Sequence, residues 1–262
     1  MDGPITAFDG KIATVDKKFI YASMRRGGRS IYAFDVTNTV ASPNSPVLKW
    51  KIGCPNSGDD TGCTDSTLVA NAGNMNGIGQ TWSSPKALSV SNYNSGASPL
   101  MIFGGGYDTC EDVDDGSTNN NCTSSSKGHY VYVIDANSGA VLRAFDTGGT
   151  RGIIADSTLV LDNTGKAIYA YTADLGGNVY RISFSGTTSA DWSMTKIAAF
   201  GCDTPSAGDC TANPNRKFMY APSVVATGGN YVILLGSGDR EKPVTFYAAT
   251  TAVTNYFVMF TD

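Results

Sequence analysis

The segment that decides the fold reads Ser30-Ile31-Tyr32-Ala33-Phe34-Asp35. It is rich in β-branched and aromatic residues, follows the turn Gly27-Gly28, and precedes a polar turn and a second apolar run. Runs of this composition, bounded by turn residues, are typical of β-strands. Three later segments repeat the signature: Tyr130-Val131-Tyr132-Val133-Ile134-Asp135, Asn178-Val179-Tyr180-Arg181-Ile182-Ser183 and Asn255-Tyr256-Phe257-Val258-Met259-Phe260.

Shorter apolar runs flank each copy of the signature and complete a unit of four strands. Two runs precede each copy, and one run follows each of the first three copies. Such a repeat is the pattern of a β-propeller blade, and no long stretch has the apolar spacing of a helix. The sequence therefore predicts an all-β, β-propeller-like fold with about four four-stranded antiparallel blades in one domain, residues 1–262. The predicted blades are residues 1–53, 78–147, 151–200 and 216–262.

The fourth unit stops after its third strand, which bears on how the propeller closes. A ring normally closes when one terminus supplies the outer strand of a blade from the other terminus. We therefore expect an open arc with exposed strand edges, as part of a larger propeller. The alternative is that residues 3–15 supply the missing strand and close a compact four-bladed ring.

Composition and charge exclude several classes of function. The chain has 262 residues, 30 glycines and 16% charged residues, which suits many tight turns between half-buried strands. The formal net charge of −4 disfavours nucleic-acid binding. No apolar run approaches the roughly 20 residues that span a bilayer, so no transmembrane segment is predicted. Met1-Asp2-Gly3-Pro4 does not begin a signal peptide.

Six cysteines lie in polar loops as three pairs that are close in sequence. Local pairing is the simplest of the pairings that six cysteines allow. Loop disulfides persist in oxidising compartments, so we expect a protein outside the cytoplasm whose secretion signal has been removed. A zinc site is disfavoured because Cys-x-x-Cys is missing and His129 is the only histidine. The predicted disulfides are Cys54–Cys63, Cys110–Cys122 and Cys202–Cys210.

The loop of residues 108–116 is the one dense cluster of carboxylates. Asp112 and Asp114 alternate ahead of a glycine, and Asp108 begins the loop. Hard oxygen ligands of this kind suit calcium, and closure by a disulfide would lower the entropy cost of ordering them. The alternative is a solvated acidic loop, since the bidentate glutamate of a complete EF-hand is missing.

Arg25, Arg26 and Arg29 flank the turn Gly27-Gly28, which would place three guanidinium groups near one hairpin tip. Such a cluster is a candidate partner-binding site for a carboxylate or a phosphate. The alternative of a solvated turn is favoured.

The sequence contains few motifs that point to catalysis. His129 alone gives Ser-His-Asp chemistry weak support, phosphate-binding and dinucleotide-binding loops are missing, and nothing selects a carboxylate pair for sugar hydrolysis. Trp50, Trp82 and Trp192 lie within or beside apolar strands, so they are expected to pack between blades. The sequence predicts no catalytic residue and no enzyme.

Four ordered motifs resemble the PilY family, the large type IV pilus biogenesis and tip-adhesin proteins of bacteria. They run across nearly the whole chain, from about residue 18 to the end, which makes the resemblance specific. The motifs are MRRGGRSIYAFDVT over residues 24–37, GQTWSSP over 79–85, YTADLGGNVYRI over 171–182 and GSGDRE over 236–241.

The resemblance implies a modified propeller in the C-terminal part of a secreted protein. That protein would pass through the periplasm to the cell surface or pilus tip, with minor pilins or the pilus-tip complex as partners. Its implied function is non-catalytic, in type IV pilus assembly and adhesion to a host or abiotic surface. Because the family's propeller is larger than four blades, we expect a piece of a longer protein or an abridged relative.

The family's calcium loop precedes the strand that carries YTADLGGNVYRI. Asp162 holds an acidic ligand position of that loop, but the later acidic positions are missing and Lys166 adds a repelling charge. The resemblance therefore implies a degenerate calcium site at Asp162. On charge, the loop with Asp112 and Asp114 is the better calcium candidate.

Two alternative functions belong to other classes. The segment Asp135-Ala136-Asn137-Ser138-Gly139 is similar to the repeat of pyrroloquinoline quinone dehydrogenases, which would make the chain an oxidoreductase. Against this, the chain has no adjacent cysteine pair, and four blades give few walls for a quinone pocket. A glycan-binding propeller is the second alternative.

Overall fold

The chain folds into antiparallel β-sheets. The computed structural model describes residues 2–38, 46–56, 59–64, 74–112, 120–201, 216–241 and 253–262. These residues form three four-stranded sheets and one three-stranded sheet, and they contain no α-helix. The predicted all-β, propeller-like fold is confirmed. No helix in the described ranges is long and apolar enough to cross a membrane.

The four sheets use consecutive strands of the chain. Blade 1 contains β1 (Ile5–Ile12), β2 (Val15–Ala22), β3 (Ser30–Asp35) and β4 (Val47–Gly53). Blade 2 contains β5 (Lys86–Leu88), β6 (Leu100–Gly104), β7 (Tyr130–Asp135) and β8 (Val141–Asp146). Blade 3 contains β9 (Thr158–Leu161), β10 (Ala167–Ala173), β11 (Asn178–Ser183) and β12 (Ser193–Ala199). Blade 4 contains β13 (Ser223–Thr227), β14 (Asn230–Gly236) and β15 (Phe257–Thr261). Three short 3-10 helices span Asn94–Gly96, Thr109–Asp112 and Ser189–Asp191.

Each strand pairs with its chain neighbour, so every blade is a meander. The first hairpin pairs Ile5 with Ala22 at one end and Ile12 with Val15 at the other. The four signature segments supply the third strand of each blade, β3, β7, β11 and β15. Alternating side chains of these strands can therefore pack against both neighbouring blades.

The apolar runs that predict the first strands of blades 2, 3 and 4 are residues 82–90, 153–161 and 220–226, and each of these strands begins later in the structure. β5 begins at Lys86, β9 at Thr158 and β13 at Ser223. Pro85 and Pro222 immediately precede β5 and β13, and proline has no N–H for a ladder hydrogen bond. The apolar residues ahead of these strands instead join a separate buried cluster of Trp82, Tyr107, Ile154, Leu175 and Met219.

The hydrophobic core lies between successive blades. Phe19, Tyr21 and Trp50 of blade 1 pack in one cluster with Phe103 and Tyr132 of blade 2. A second cluster joins blades 2 and 3, and a third joins blades 3 and 4. The blades therefore follow one another in space in chain order.

Blades 1 and 4 do not pair with each other among the described strands. β1 pairs with β2, and β15 pairs with β14. As expected, the described sheets are not closed into a ring, and residues 3–15 do not complete blade 4.

Candidate functional site: the loop face

The four longest connections between the described strands, residues 54–85, 105–129, 200–222 and 237–256, turn at one end of the blades, which we call the loop face. It is the end where each first strand begins, and it receives the connections of residues 23–29, 54–85, 105–129, 147–157, 200–222 and 237–256. The opposite end includes two-residue turns at residues 13–14 and 228–229. Binding residues favour loops that a rigid scaffold holds, and these connections contain the four described cysteines, so the loop face is the candidate site.

Arg29 is a buried structural arginine at this face, with 6% of its surface exposed. Its Nε donates to the carbonyl of Ile78 at 2.6 Å, and its Nη1 donates to Asp60 Oδ1 at 2.8 Å. Lys127 Nζ donates to the other Asp60 oxygen at 2.6 Å. The hydrogen bond from Lys127 holds the pKa of Asp60 below its usual value. Asp60 therefore joins blade 1 to blade 2.

Two disulfides close loops at this face. The structure contains Cys54–Cys63, which encloses Asp60, and Cys110–Cys122, two of the three predicted pairs. The predicted pair Cys202–Cys210 lies outside the described residues. The two groups of metal-ligand type in the described part of the chain each include one of these disulfides. Disulfide sulfurs are not the thiolates that metals require.

Asp112 is held by an arginine and a tyrosine. Arg26 donates to both Asp112 oxygens, at 2.9 and 2.8 Å, and the Tyr107 hydroxyl donates to Asp112 Oδ1 at 2.9 Å. Burial and the hydrogen bond to Asp112 raise the pKa of Tyr107 above its usual value. Asp112 is therefore ion-paired with Arg26.

Asp108 is occupied by backbone donors. Its Oδ1 accepts the N–H of Cys110 at 2.8 Å, and its Oδ2 accepts the N–H of Lys127 at 2.6 Å. Asp114 lies outside the described residues. A calcium ion bound by Asp108 and Asp112 would have to compete with these donors, and calcium in this loop stays a prediction.

Asp162 forms an ordinary turn at the opposite end of blade 3. Its Oδ1 accepts the N–H of Thr164 at 2.8 Å and the N–H of Lys166 at 2.9 Å. The hydrogen bond from the Thr164 hydroxyl is the largest of the effects that lower the pKa of Asp162. Lys166 Nζ is turned to the carbonyl of Gly96, 3.0 Å away.

A buried ionic network that the sequence pattern does not reveal joins blades 2, 3 and 4. Arg151 donates to both oxygens of Glu111, at 2.6 and 2.7 Å, and both side chains are fully buried. Lys217 Nζ lies 3.2 Å from Glu111 and 2.9 Å from Asp239. A lone arginine in the glycine-rich segment of residues 148–152 is the one sequence signal that points to it.

Two cavities open on the loop face, and aromatic rings separate them. The larger, about 310 Å³, is lined by Arg26, Tyr107, Lys127 and neighbouring backbone. The smaller, about 180 Å³, is lined by residues that include Arg25 and Trp82. The Trp82 and Tyr107 rings stack with their centroids 5.0 Å apart.

The three predicted partner-binding arginines therefore point to three different places. Arg29 is buried on Asp60, Arg26 is paired with Asp112, and Arg25 lines the smaller cavity. They do not form one anion cluster, although the guanidinium groups of Arg25 and Arg26 both lie over the Trp82 ring, 5.5 and 5.6 Å from its centroid.

The tryptophans and the histidine have different positions. Trp50 and Trp192 pack between blades as expected. Trp82 instead lies at the loop face, beside Arg25. His129 is buried in the structure, with its Nδ1 3.1 Å from Asp146 Oδ1.

Comparison with known proteins identifies the family. The family model described as the PilY1 beta-propeller domain matches residues 4–260. The chain belongs to this family. Each of the four motifs quoted above includes part of a connection at the loop face, at residues 24–29, 79–85, 174–177 and 237–241.

Curated PilY1 relatives are similar over most of this chain. It is 25% identical over 246 residues to the type IV pilus biogenesis factor PilY1 homolog of Xylella fastidiosa. It is 22% identical over 256 residues to the type IV pilus biogenesis factor PilY1 of Pseudomonas aeruginosa. Each alignment covers 91% of this chain but only 15% and 18% of the relatives, so the chain spans less than a fifth of their length.

A solved structure shares the PilY1 fold. The crystal structure of the Pseudomonas aeruginosa PilY1 C-terminal domain matches 99% of this chain and 48% of its own chain. The TM-score is 0.59 and the sequence identity is 21%, so this likeness concerns the fold.

Proposed function

We propose that this chain is a non-catalytic β-propeller module that acts in type IV pilus assembly and in surface adhesion. The observation that carries the proposal is the match to the PilY1 β-propeller family over residues 4–260. Curated relatives with that match are described as type IV pilus biogenesis factors. The proposed location is the cell surface at the pilus tip, reached through the periplasm, with minor pilins or the tip complex as partners.

The geometry of the loop face supports a binding role. Disulfides and ion pairs from different blades hold its loops, which gives a preorganised surface. The chain's only histidine is buried and paired with Asp146. Arg26 and Arg29 are both paired with carboxylates. These features favour recognition over catalysis.

The test is deletion of the gene in its native host, with pili counted by electron microscopy and cells counted on host and abiotic surfaces. We expect fewer surface pili and weaker attachment, both restored by the wild-type gene. Complementation with Arg26→Ala should restore less than complementation with Thr164→Ala, a turn variant at the opposite end. Normal piliation and normal attachment after deletion would exclude the proposed function.

Calcium binding at Asp108, Asp112 and Asp114 is a finer proposal that isothermal titration can test. A heat of calcium binding that disappears in the Asp114→Asn variant, but persists in the Asp162→Asn variant, would support this loop as the site. An absence of calcium heats in the wild-type protein would exclude it.

A further inference from the structure

The smaller cavity lies where the first strands of all four blades begin. Pro4 precedes β1, Ser84 lies two residues before β5, Asp156 lies two residues before β9, and Ala221 lies two residues before β13; all four line the cavity. Residues from all four blades therefore form its wall, which places the cavity on a scaffold of regular strands.

The volume of the cavity limits what can enter. At about 180 Å³ it is below the roughly 300–1,000 Å³ of sites for drug-sized ligands, and it holds the volume of about six waters. A quinone or an oligosaccharide is too large. A single side chain or a small ion fits.

Two guanidinium groups give the cavity its charge. Arg25 lies over the Trp82 ring with its Cζ 5.5 Å from the ring centroid, and Arg240 lies over Tyr220 at 4.9 Å. Among the described residues that line the cavity, Asp156 is the one carboxylate, and its Oδ1 accepts the N–H of Ser84 at 2.6 Å. Arg240 is paired with Glu241 Oε1 at 3.2 Å, so Arg25 is the cation of the lining that has no carboxylate partner among the described residues, which suits a monoanion.

Arg25 has a donor that no described residue satisfies. Its Nε is buried and has no hydrogen-bond partner within the described ranges. Its backbone is in the left-handed region, with φ of 47°, although its N–H is bonded to the carbonyl of Thr81 at 3.0 Å. Strained backbone and an unsatisfied buried donor together are more typical of a binding residue than of a packing residue.

From this geometry we propose that the cavity binds a single carboxylate, supplied by the acidic side chain of a partner polypeptide. A planar carboxylate matches the fork of the Arg25 guanidinium, which lines the cavity. The Tyr220 ring beside the cavity is 57% exposed and offers an apolar surface to the residues that flank the acidic one. This proposal does not rest on the proposed role in pilus assembly.

The test is titration of the ¹⁵N-labelled protein with the peptide acetyl-Gly-Gly-Glu-Gly-Gly-amide and with its Gln counterpart. The Glu peptide should shift the Arg25 Nε–H resonance, and its binding should weaken as salt is added. The Gln peptide should not bind. Equal binding of the two peptides would overturn the proposal. If acetate bound as tightly as the Glu peptide, the carboxylate would not need to come from a polypeptide, and that part of the proposal would be wrong.

Two variants extend the test, one expected to weaken binding of the Glu peptide and one expected to strengthen it. Arg25→Gln should weaken Glu-peptide binding by about tenfold or more, whereas Lys11→Gln, with the same charge loss on an exposed part of β1, should not. Asp156→Asn keeps an oxygen for Ser84 and should tighten binding, a result that misfolding cannot produce. Unchanged affinity in Arg25→Gln, or weaker binding in Asp156→Asn, would overturn the proposal.

Discussion

Glu111 is the buried anion that joins Arg151 and Lys217 at the loop face. Its carboxylate receives a two-point hydrogen bond from Arg151 and lies 3.2 Å from Lys217, and all three side chains are buried. A buried ion pair adds little net stability over an apolar substitute, but loss of one partner leaves a buried charge without compensation. The network therefore fixes how blades 2, 3 and 4 meet.

Glu111→Gln should lower the free energy of unfolding by about 3–5 kcal/mol, because Arg151 and Lys217 lose the anion between them. Urea unfolding followed by circular dichroism measures the change. The control is Asp9→Asn, which removes the exposed ion pair with Lys18 and should cost about 1 kcal/mol or less. Equal losses in the two variants would contradict a structural role for the network.

The charges of the loop face show what the sequence could not predict. In the sequence, Glu111 is one of several acids in a loop that suggests calcium. Its arginine partner is 40 residues away in another blade, and no local pattern reports such a distance. Asp112 likewise pairs with an arginine 86 residues before it.

At the scale of the element, the loop closed by Cys54–Cys63 brings one carboxylate to two cations. Asp60 accepts hydrogen bonds from Arg29 at 2.8 Å and from Lys127 at 2.6 Å. The Lys127 contact lowers the pKa of Asp60 in the folded state. A carboxyl with a lowered folded pKa stabilises the fold at pH above its unfolded value, about 3.9, and loses that contribution as the pH falls through the folded pKa.

Asp60→Asn should therefore flatten the loss of stability on acidification. Urea midpoints measured from pH 7 to pH 3 should fall less steeply in Asp60→Asn than in the wild-type protein. Lys127→Met removes the donor and should flatten the curve in the same direction. Three parallel curves would show that this loop does not depend on its carboxylate charge.

The strands themselves were largely predictable, because alternation and aromatic content are local signals. The third strands β3, β7 and β11 coincide with the signature segments. The first strands of blades 2 and 3 were predicted to begin too early, since Trp82 and Ile154 are buried in the loop-face cluster and not in a ladder. Apolar character shows burial, but it does not separate a strand from a buried loop.

At the scale of the whole molecule, the described blades do not close into a ring. Strand β15 therefore pairs with a neighbouring strand on one side only among the described strands. Its described partner is β14, with Phe257 opposite Gly236 and Thr261 opposite Val232. The arc followed from the sequence because the fourth repeat lacks a last strand. The meeting of four first strands around one small cavity did not, because it depends on how the blades pack.

Hydrogen exchange at β15 tests the open edge. Asp262 and Tyr231 exchange both backbone hydrogen bonds, so by alternation the N–H groups of Phe260 and Val258 also point to β14. The N–H groups of Met259 and Thr261 then point to the open edge. We expect the first pair to be protected by tenfold or more, about 1.4 kcal/mol, over the second pair in dilute protein. Protection of Met259 and Thr261 that grows with protein concentration would show strand pairing between copies. Equal protection of all four amides at every concentration would mean that another segment of the same chain covers the edge, and the open arc would be wrong.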